Sequence, residues 1–213
     1  MDSLSVTNVI IAINVICYFL DAATTRYVIF PSGLAARYQP MYELGAFTPQ
    51  AAIIRGQIWR FLTFQFLHAN LTHLVFNMLA LLFFGPPVEA YLGKARFLLF
   101  YLLCGIAGPI SYLFFILLGI VPATRSSGLI GASAGVFGVL IAAAQVLPDA
   151  KVLIYGLIPA RVRTVAWVLL GIAIYTVFTN GRNAGGEAAH LGGAAVGYLL
   201  IRNGWISPVE HEG

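Results

Sequence analysis

Charge is scarce in this sequence. Eight acidic and twelve basic residues are all that 213 positions carry, so charged side chains make up 9% of the chain. A soluble domain devotes about a quarter of its residues to them. A chain this short of charge cannot cover a water-facing surface, which excludes an ordinary soluble fold. The basic residues are scattered through loops and never gather into a patch. That removes the electrostatic footprint of a nucleic-acid binder, and no nucleic-acid partner is expected. Cysteine is nearly absent: Cys17 and Cys104 both lie inside apolar runs. Neither belongs to a metal-type spacing, and both read as small buried apolar side chains. No metal and no cofactor are expected. Low-complexity segments are lacking, and so is the inverted internal repeat that transporters use.

Apolar residues take the place of charge, at 60% of the chain with a mean hydropathy of +0.87. The class is an all-α, multi-pass integral membrane protein. The length leaves room for about six crossings of roughly 20 residues with short loops. A single membrane domain is expected over residues 1–213, with crossings at 7–29, 69–85, 97–120, 132–147, 164–178 and 187–202. The first apolar run lacks the basic start of a signal peptide and stays apolar beyond Asp21, so it reads as a helix. Residues 31–66 are different: Pro31, Gly33, Pro40, Gly45, Pro49 and Gly56 break them up. Trp59-Arg60 in this stretch pairs an aromatic with a cation, which suits the headgroup layer. The stretch reads as a long interfacial loop with short helices.

Gly85-Pro86-Pro87 reads as the end of the second crossing, with Glu89, Lys94 and Arg96 in an aqueous loop after it. Arg125, Ser126 and Ser127 mark another short loop. The fourth crossing starts at Gly131-Ala132-Ser133-Ala134-Gly135 and stops before Pro148. Its ~16 residues make roughly 24 Å of helix, less than the ~30 Å of hydrocarbon. A glycine-rich entry to so short a helix places Ser133 below the surface, in a hollow that water can reach. Lys and Arg tie between the two sides of the membrane. Setting aside the long first loop and Arg26 leaves an excess that puts the N-terminus in the cytoplasm.

The chemistry sits at three helix starts. Serine is a poor nucleophile until a base takes its proton, and histidine is the usual base. Polar side chains embedded in lipid are expensive and tend to have a function. His73, Ser133 and His190 lie near the starts of the second, fourth and sixth crossings. Those three helices run in the same direction, so the three residues sit at similar depth on one side. His73 and Asn77 are four apart and share a helix face. Gly131, Gly135, Gly138 and Ala142 form one stripe and Ala189, Gly193 and Gly197 another, a pattern that lets helices four and six touch in lipid. The same Gly131-x-Ser133-x-Gly135 matches a soluble hydrolase elbow. That reading fails, because no strand precedes it and Asp149 lies at the opposite end of the helix. The pair is therefore expected to work as a dyad.

Together these residues resemble a rhomboid intramembrane serine protease of the minimal, bacterial-type, six-helix form. The pattern is Trp59-Arg60, His68, His73, Asn77, Glu89, Gly131-x-Ser133 and Ala189-His190-x-Gly192, and it covers about residues 59–197. The resemblance implies a rhomboid-like bundle in the cell (inner) membrane, cutting the transmembrane segments of other proteins beside small residues. It implies Ser133 as nucleophile, His190 as base, and His73, Asn77 and the Ser133 N–H as the oxyanion hole. Trp59, Arg60, His68 and Glu89 are then structural, with His68 expected to pair with loop backbone. Gly131, Phe137, Gly193 and Gly197 are support positions. Two positions depart from the common pattern: Ala134 stands where glycine is frequent, and Phe137 where tyrosine is. A non-catalytic rhomboid-like protein that binds membrane clients is the first rival, and a channel or transporter the second. The first typically lacks the serine or histidine. The second wants polar residues continuing to the far side, where these helices are apolar.

Overall fold

Helix α1 runs Val6–Thr24 and stops well short of residue 29. The Thr25 N–H and hydroxyl both donate to the Asp21 carbonyl, one of the acceptors that the helix end leaves open. The chain leaves as strand β1 (Arg26–Ile29), which pairs antiparallel with β2 (Ala35–Tyr38). The computed structural model of the chain describes residues 4–29, 35–122, 128–154 and 157–204. Pro31, Gly33 and the loop at residues 125–127 lie outside the described residues. Two short α-helices follow, α2 (Pro40–Gly45) and α3 (Arg60–Thr63), with a π-helical segment at Gln50–Ile54 between them.

Helix α4 spans Leu71–Leu92, and this corrects the expected stop at Gly85-Pro86-Pro87, which lies inside it. A proline in a helix interior costs ~3 kcal/mol or more. Tertiary contacts hold the far turns in place. A Cβ on Gly85 would come within 2.6 Å of Thr7 Cγ2, so the two helices touch there. Glu89 is not in an aqueous loop either, being only 7% exposed. Its carboxylate accepts from the backbone N–H groups of Val6 and Thr7 and from the hydroxyls of Ser5 and Thr7. It thereby satisfies donors at the start of α1 and places a negative charge at the positive end of that helix.

The remaining helices are α5 (Lys94–Leu117), α6 (Ser133–Val146), α7 (Val162–Phe178) and α8 (Ala184–Arg202). A hairpin of β3 (Lys151–Ile154) and β4 (Ile158–Arg161) stands between α6 and α7, where the sequence suggests only a basic loop. Among the described residues, α1, α4 and α5 are long and apolar enough to cross a membrane, and α6 and α7 are shorter apolar helices. Most of α6 is buried, from Ala134 to Val136 and from Gly138 to Ala143. A helix apolar on all sides belongs at the centre, and α4, α5 and α8 pack around it.

The α6–α8 contact is made at backbone distance. A Cβ on Gly193 would lie 1.9 Å from the Ala134 carbonyl oxygen, and one on Gly197 would lie 2.7 Å from Gly138 Cα. The stripe on α6 is more divided than its spacing suggests. Gly135 faces Tyr101 of α5, where a Cβ would meet the ring at 2.7 Å, and Gly131 faces His73. Three neighbours compete for the circumference of a central helix, so one row of glycines serves several of them.

Candidate active site

Ser133 is the first residue of α6, so its backbone N–H is one of the helix's unpaired donors. The strand-like segment before it is pinned to the first loop. Phe47 and Leu129 exchange backbone hydrogen bonds of 3.0 and 2.7 Å, and the Gly131 N–H donates to the Phe64 carbonyl at 2.9 Å. Gly131 has φ +121°, and a Cβ there would come within 2.7 Å of the His73 ring. No side chain fits that backbone or that space.

The partner segment is tied down in turn. Arg60, 6% exposed, donates to the carbonyls of Glu43 and Ala46 and to the Gln57 side chain. Trp59 Nε1 donates to the Leu44 carbonyl at 3.1 Å. A chain of contacts thus runs from Trp59-Arg60 through residues 43–47 to Leu129 and on to Ser133.

His190 lies in the second turn of α8. Its Nε2 is 2.7 Å from Ser133 Oγ. The Phe137 ring, one turn beyond Ser133 on α6, stacks on the imidazole with centroids 4.3 Å apart and planes 10° from parallel. On the other side of the imidazole, Nδ1 is 2.9 Å from Glu187 Oε2. Glu187 escapes the sequence reading, although the Glu-Ala-Ala-His spacing of three on a helix was a usable signal. Asp149 is occupied elsewhere, 3.5 Å from Arg161 and 3.4 Å from Arg163.

Helix α4 brings up the polar wall opposite. Asn70 caps it by accepting from the His73 N–H at 2.8 Å. His73 Nδ1 lies 3.5 Å from the Ala69 N–H, a long bond in which Nδ1 accepts. A neutral His73 then carries its proton on Nε2, which lies against Gly131. Asn77, 6% exposed, uses one amide hydrogen on the His73 carbonyl at 3.0 Å.

His68 corrects the expectation of pairing with loop backbone. It is 5% exposed, and neither ring nitrogen has a hydrogen-bond partner among the described residues. Its ring stands edge-on to His73, with centroids 5.1 Å apart. Burial first, and the neighbouring His73 second, push its pKa down to about 3. It is a neutral packing residue beneath His73.

A cavity of ≈ 600 Å³ holds His73, Asn77, Ser133 and His190 in its wall. From there it continues past Phe84 of α4, Leu140 of α6 and Leu169 of α7. One end of it is polar and its length is apolar. The polar end offers a hydroxyl against an imidazole nitrogen, with N–H donors facing them. Such a set can activate an oxygen nucleophile and hold negative charge developing beside it.

Known proteins resemble this chain over the same region. A family model described as Rhomboid domain matches residues 55–205. The chain is 29% identical over 212 residues to "Rhomboid protease AarA" of Providencia stuartii, covering 94% of the chain and 72% of that protein. It is 33% identical over 135 residues to "Rhomboid protease GluP" of Bacillus subtilis, covering 63% of the chain but only 24% of that protein. Over 146 residues it is 34% identical to "Rhomboid protein 1, mitochondrial" of Saccharomyces cerevisiae, with 66% and 39% covered.

Proposed function

Since this chain belongs to the rhomboid family, we propose that it is an intramembrane serine endopeptidase cutting the transmembrane segments of other membrane proteins. The observation that carries this is the 2.7 Å contact between Ser133 Oγ and His190 Nε2, inside a cavity with apolar flanks. In the reaction, Nε2 takes the Ser133 proton as Oγ bonds to the scissile carbonyl carbon. The carbonyl electrons move onto oxygen, and the oxyanion accepts from the Ser133 N–H, His73 Nε2–H and the free Asn77 amide hydrogen. His190 returns its proton to the leaving amine. Water then attacks the acyl group by the same route. Each proton has a place to go without metal or cofactor.

This reading assigns six crossings to α1 and α4 to α8, and an interfacial loop carrying α2 and α3 between the first two. Its 14 residues make α6 about 21 Å long, against ~30 Å of hydrocarbon. Ser133 therefore lies beneath the surface on the side opposite the N-terminus. The cytoplasmic N-terminus and a cell (inner) membrane location belong to this reading. So do the support roles of Trp59, Arg60 and Glu89, which hold backbone, and of His68, which packs edge-on against His73. Phe137 supplies a ring face to His190 without a hydroxyl. A non-catalytic client-binding protein would have no use for the Ser133–His190 contact.

The test is labelling of the purified protein by a serine-reactive fluorophosphonate, beside cleavage of a model transmembrane substrate. Wild type is expected to label and to cleave. Ser133→Ala should do neither, and His190→Ala should lose cleavage while unfolding at the wild-type temperature. Cleavage by either variant at near wild-type rate would remove the dyad.

A further inference from the structure

Glu187 takes no part in the reaction as written above, yet it is what His190 touches on its other side. Resting on the protease reading of this site, we propose that Glu187 is the positioning residue of the catalytic histidine, making the dyad a Ser133–His190–Glu187 relay. The ring is held at both nitrogens, at 2.7 Å by Ser133 Oγ and at 2.9 Å by Glu187 Oε2. An ionised carboxylate can only accept a hydrogen bond, so the single proton of a neutral imidazole sits on Nδ1. The Nε2 lone pair is thereby aimed at the Ser133 hydroxyl. Phe137 fixes the plane of the ring and Glu187 fixes its rotation within that plane.

The proton path is closed. The Oγ–H bond of Ser133 breaks as Nε2–H forms, and an imidazolium is left beside the carboxylate. Glu187 stays ionised throughout and stabilises that cation. The two side chains are only 14% and 20% exposed, so solvent screens the pair less than it would at a surface.

The other groups around His190 cannot substitute. Helix α4 presents His73, which faces the oxyanion position, and α6 presents Ser133 and Phe137. Helix α5 brings the Tyr112 ring to Gly185, where a Cβ would lie 2.9 Å from it. Helix α7 lends the cavity Leu169. Asp149 is engaged by Arg161 and Arg163. Among the described residues, Glu187 is the carboxylate that faces His190.

A helix-surface pair three residues apart could serve α8 stability alone, and pH dependence separates the two roles. The experiment measures kcat and KM for a transmembrane substrate across pH, with unfolding temperature, for the full chain as wild type, Glu187→Gln and Glu187→Asp. Ser133→Ala is the blank. Loss of the carboxylate charge should move the acid limb of the Glu187→Gln profile about one unit to lower pH, because the imidazolium loses its partner. Its kcat should fall by about 10²-fold or more with KM near wild type. The comparable amide replacement in a soluble serine-protease triad costs about 10⁴. Glu187→Asp keeps the charge and should hold the limb closer to the wild-type position. A Glu187→Gln profile that superimposes on wild type would overturn the proposal. So would equal losses in both variants with an unmoved limb and a lowered unfolding temperature. Those outcomes leave the protease reading standing, provided wild type cleaves and Ser133→Ala does not. A wild type as inactive as Ser133→Ala would sink that reading, and the relay with it.

Discussion

Asn77 donates one amide hydrogen to its own helix, at the His73 carbonyl, and keeps the other for the cavity. That division sets the orientation of the side chain before any substrate arrives. Removing it should act on the transition state, where negative charge appears, and little on the ground state. Asn77→Ala is therefore expected to lower kcat and leave KM nearly unchanged. One lost oxyanion donor costs up to about 10²–10³ in rate, and the loss should be smaller here because His73 and the Ser133 N–H remain. Steady-state kinetics on a single transmembrane substrate would decide it, and a change confined to KM would contradict the role. His68 shows the opposite case. The sequence reads it as a structural histidine bonded to loop backbone, but burial keeps it neutral and its nitrogens meet no partner among the described residues. The four-residue spacing from His73 to Asn77 marks His73 as the ring on the shared helix face, and the cavity wall holds those two residues.

Helices α6 and α8 can hold Ser133 and His190 at hydrogen-bond distance only because their backbones touch. Gly197 lies seven residues after His190 and contacts the Gly138 backbone. A valine there must push the helices apart, since the atoms it would meet are main chain and cannot swing aside. Even a ~1 Å misplacement can cost about 10²-fold in rate. Gly197→Val is expected to lose most activity and to unfold at lower temperature, although it touches no substrate. Wild-type activity in detergent or bilayer would show that this contact does not set the Ser133–His190 distance. At the same scale, α4 survives two interior prolines because Gly85 and Glu89 are engaged by the start of α1. Helix propensity alone would end it there, and the buried carboxylate overrides that preference.

The whole molecule decides how a substrate reaches the serine. The cavity follows α4 from His73 to Phe84, about 16 Å of helix, with Leu169 of α7 across from it. A transmembrane segment entering from the bilayer would pass between those two helices. Leu169→Trp, which fills that space, should slow cleavage of a transmembrane substrate. Labelling of Ser133 by a small fluorophosphonate should stay at the wild-type level, because the reagent needs only the polar end. Equal loss of labelling and cleavage would mean that the substitution disturbs the site itself, and unimpaired cleavage would mean that substrates enter elsewhere.

The sequence by itself determined the class of protein, through its poverty of charge, and the residues worth watching, through helix starts and small-residue spacing. Those are properties of composition and local periodicity, and they can be read along a single chain. It also carried the motif by which the chain resembles its family. What only the tertiary structure decided depends on which distant atoms meet. Glu89 reads as a loop carboxylate until the first turn of α1 arrives over it. Gly135 reads as part of one stripe until Tyr101 of α5 claims it. Glu187 stands three residues before His190 in plain view. Its meaning follows only once α6 delivers Ser133 to the other nitrogen, because a histidine held on one side is a surface pair and one held on both is a relay.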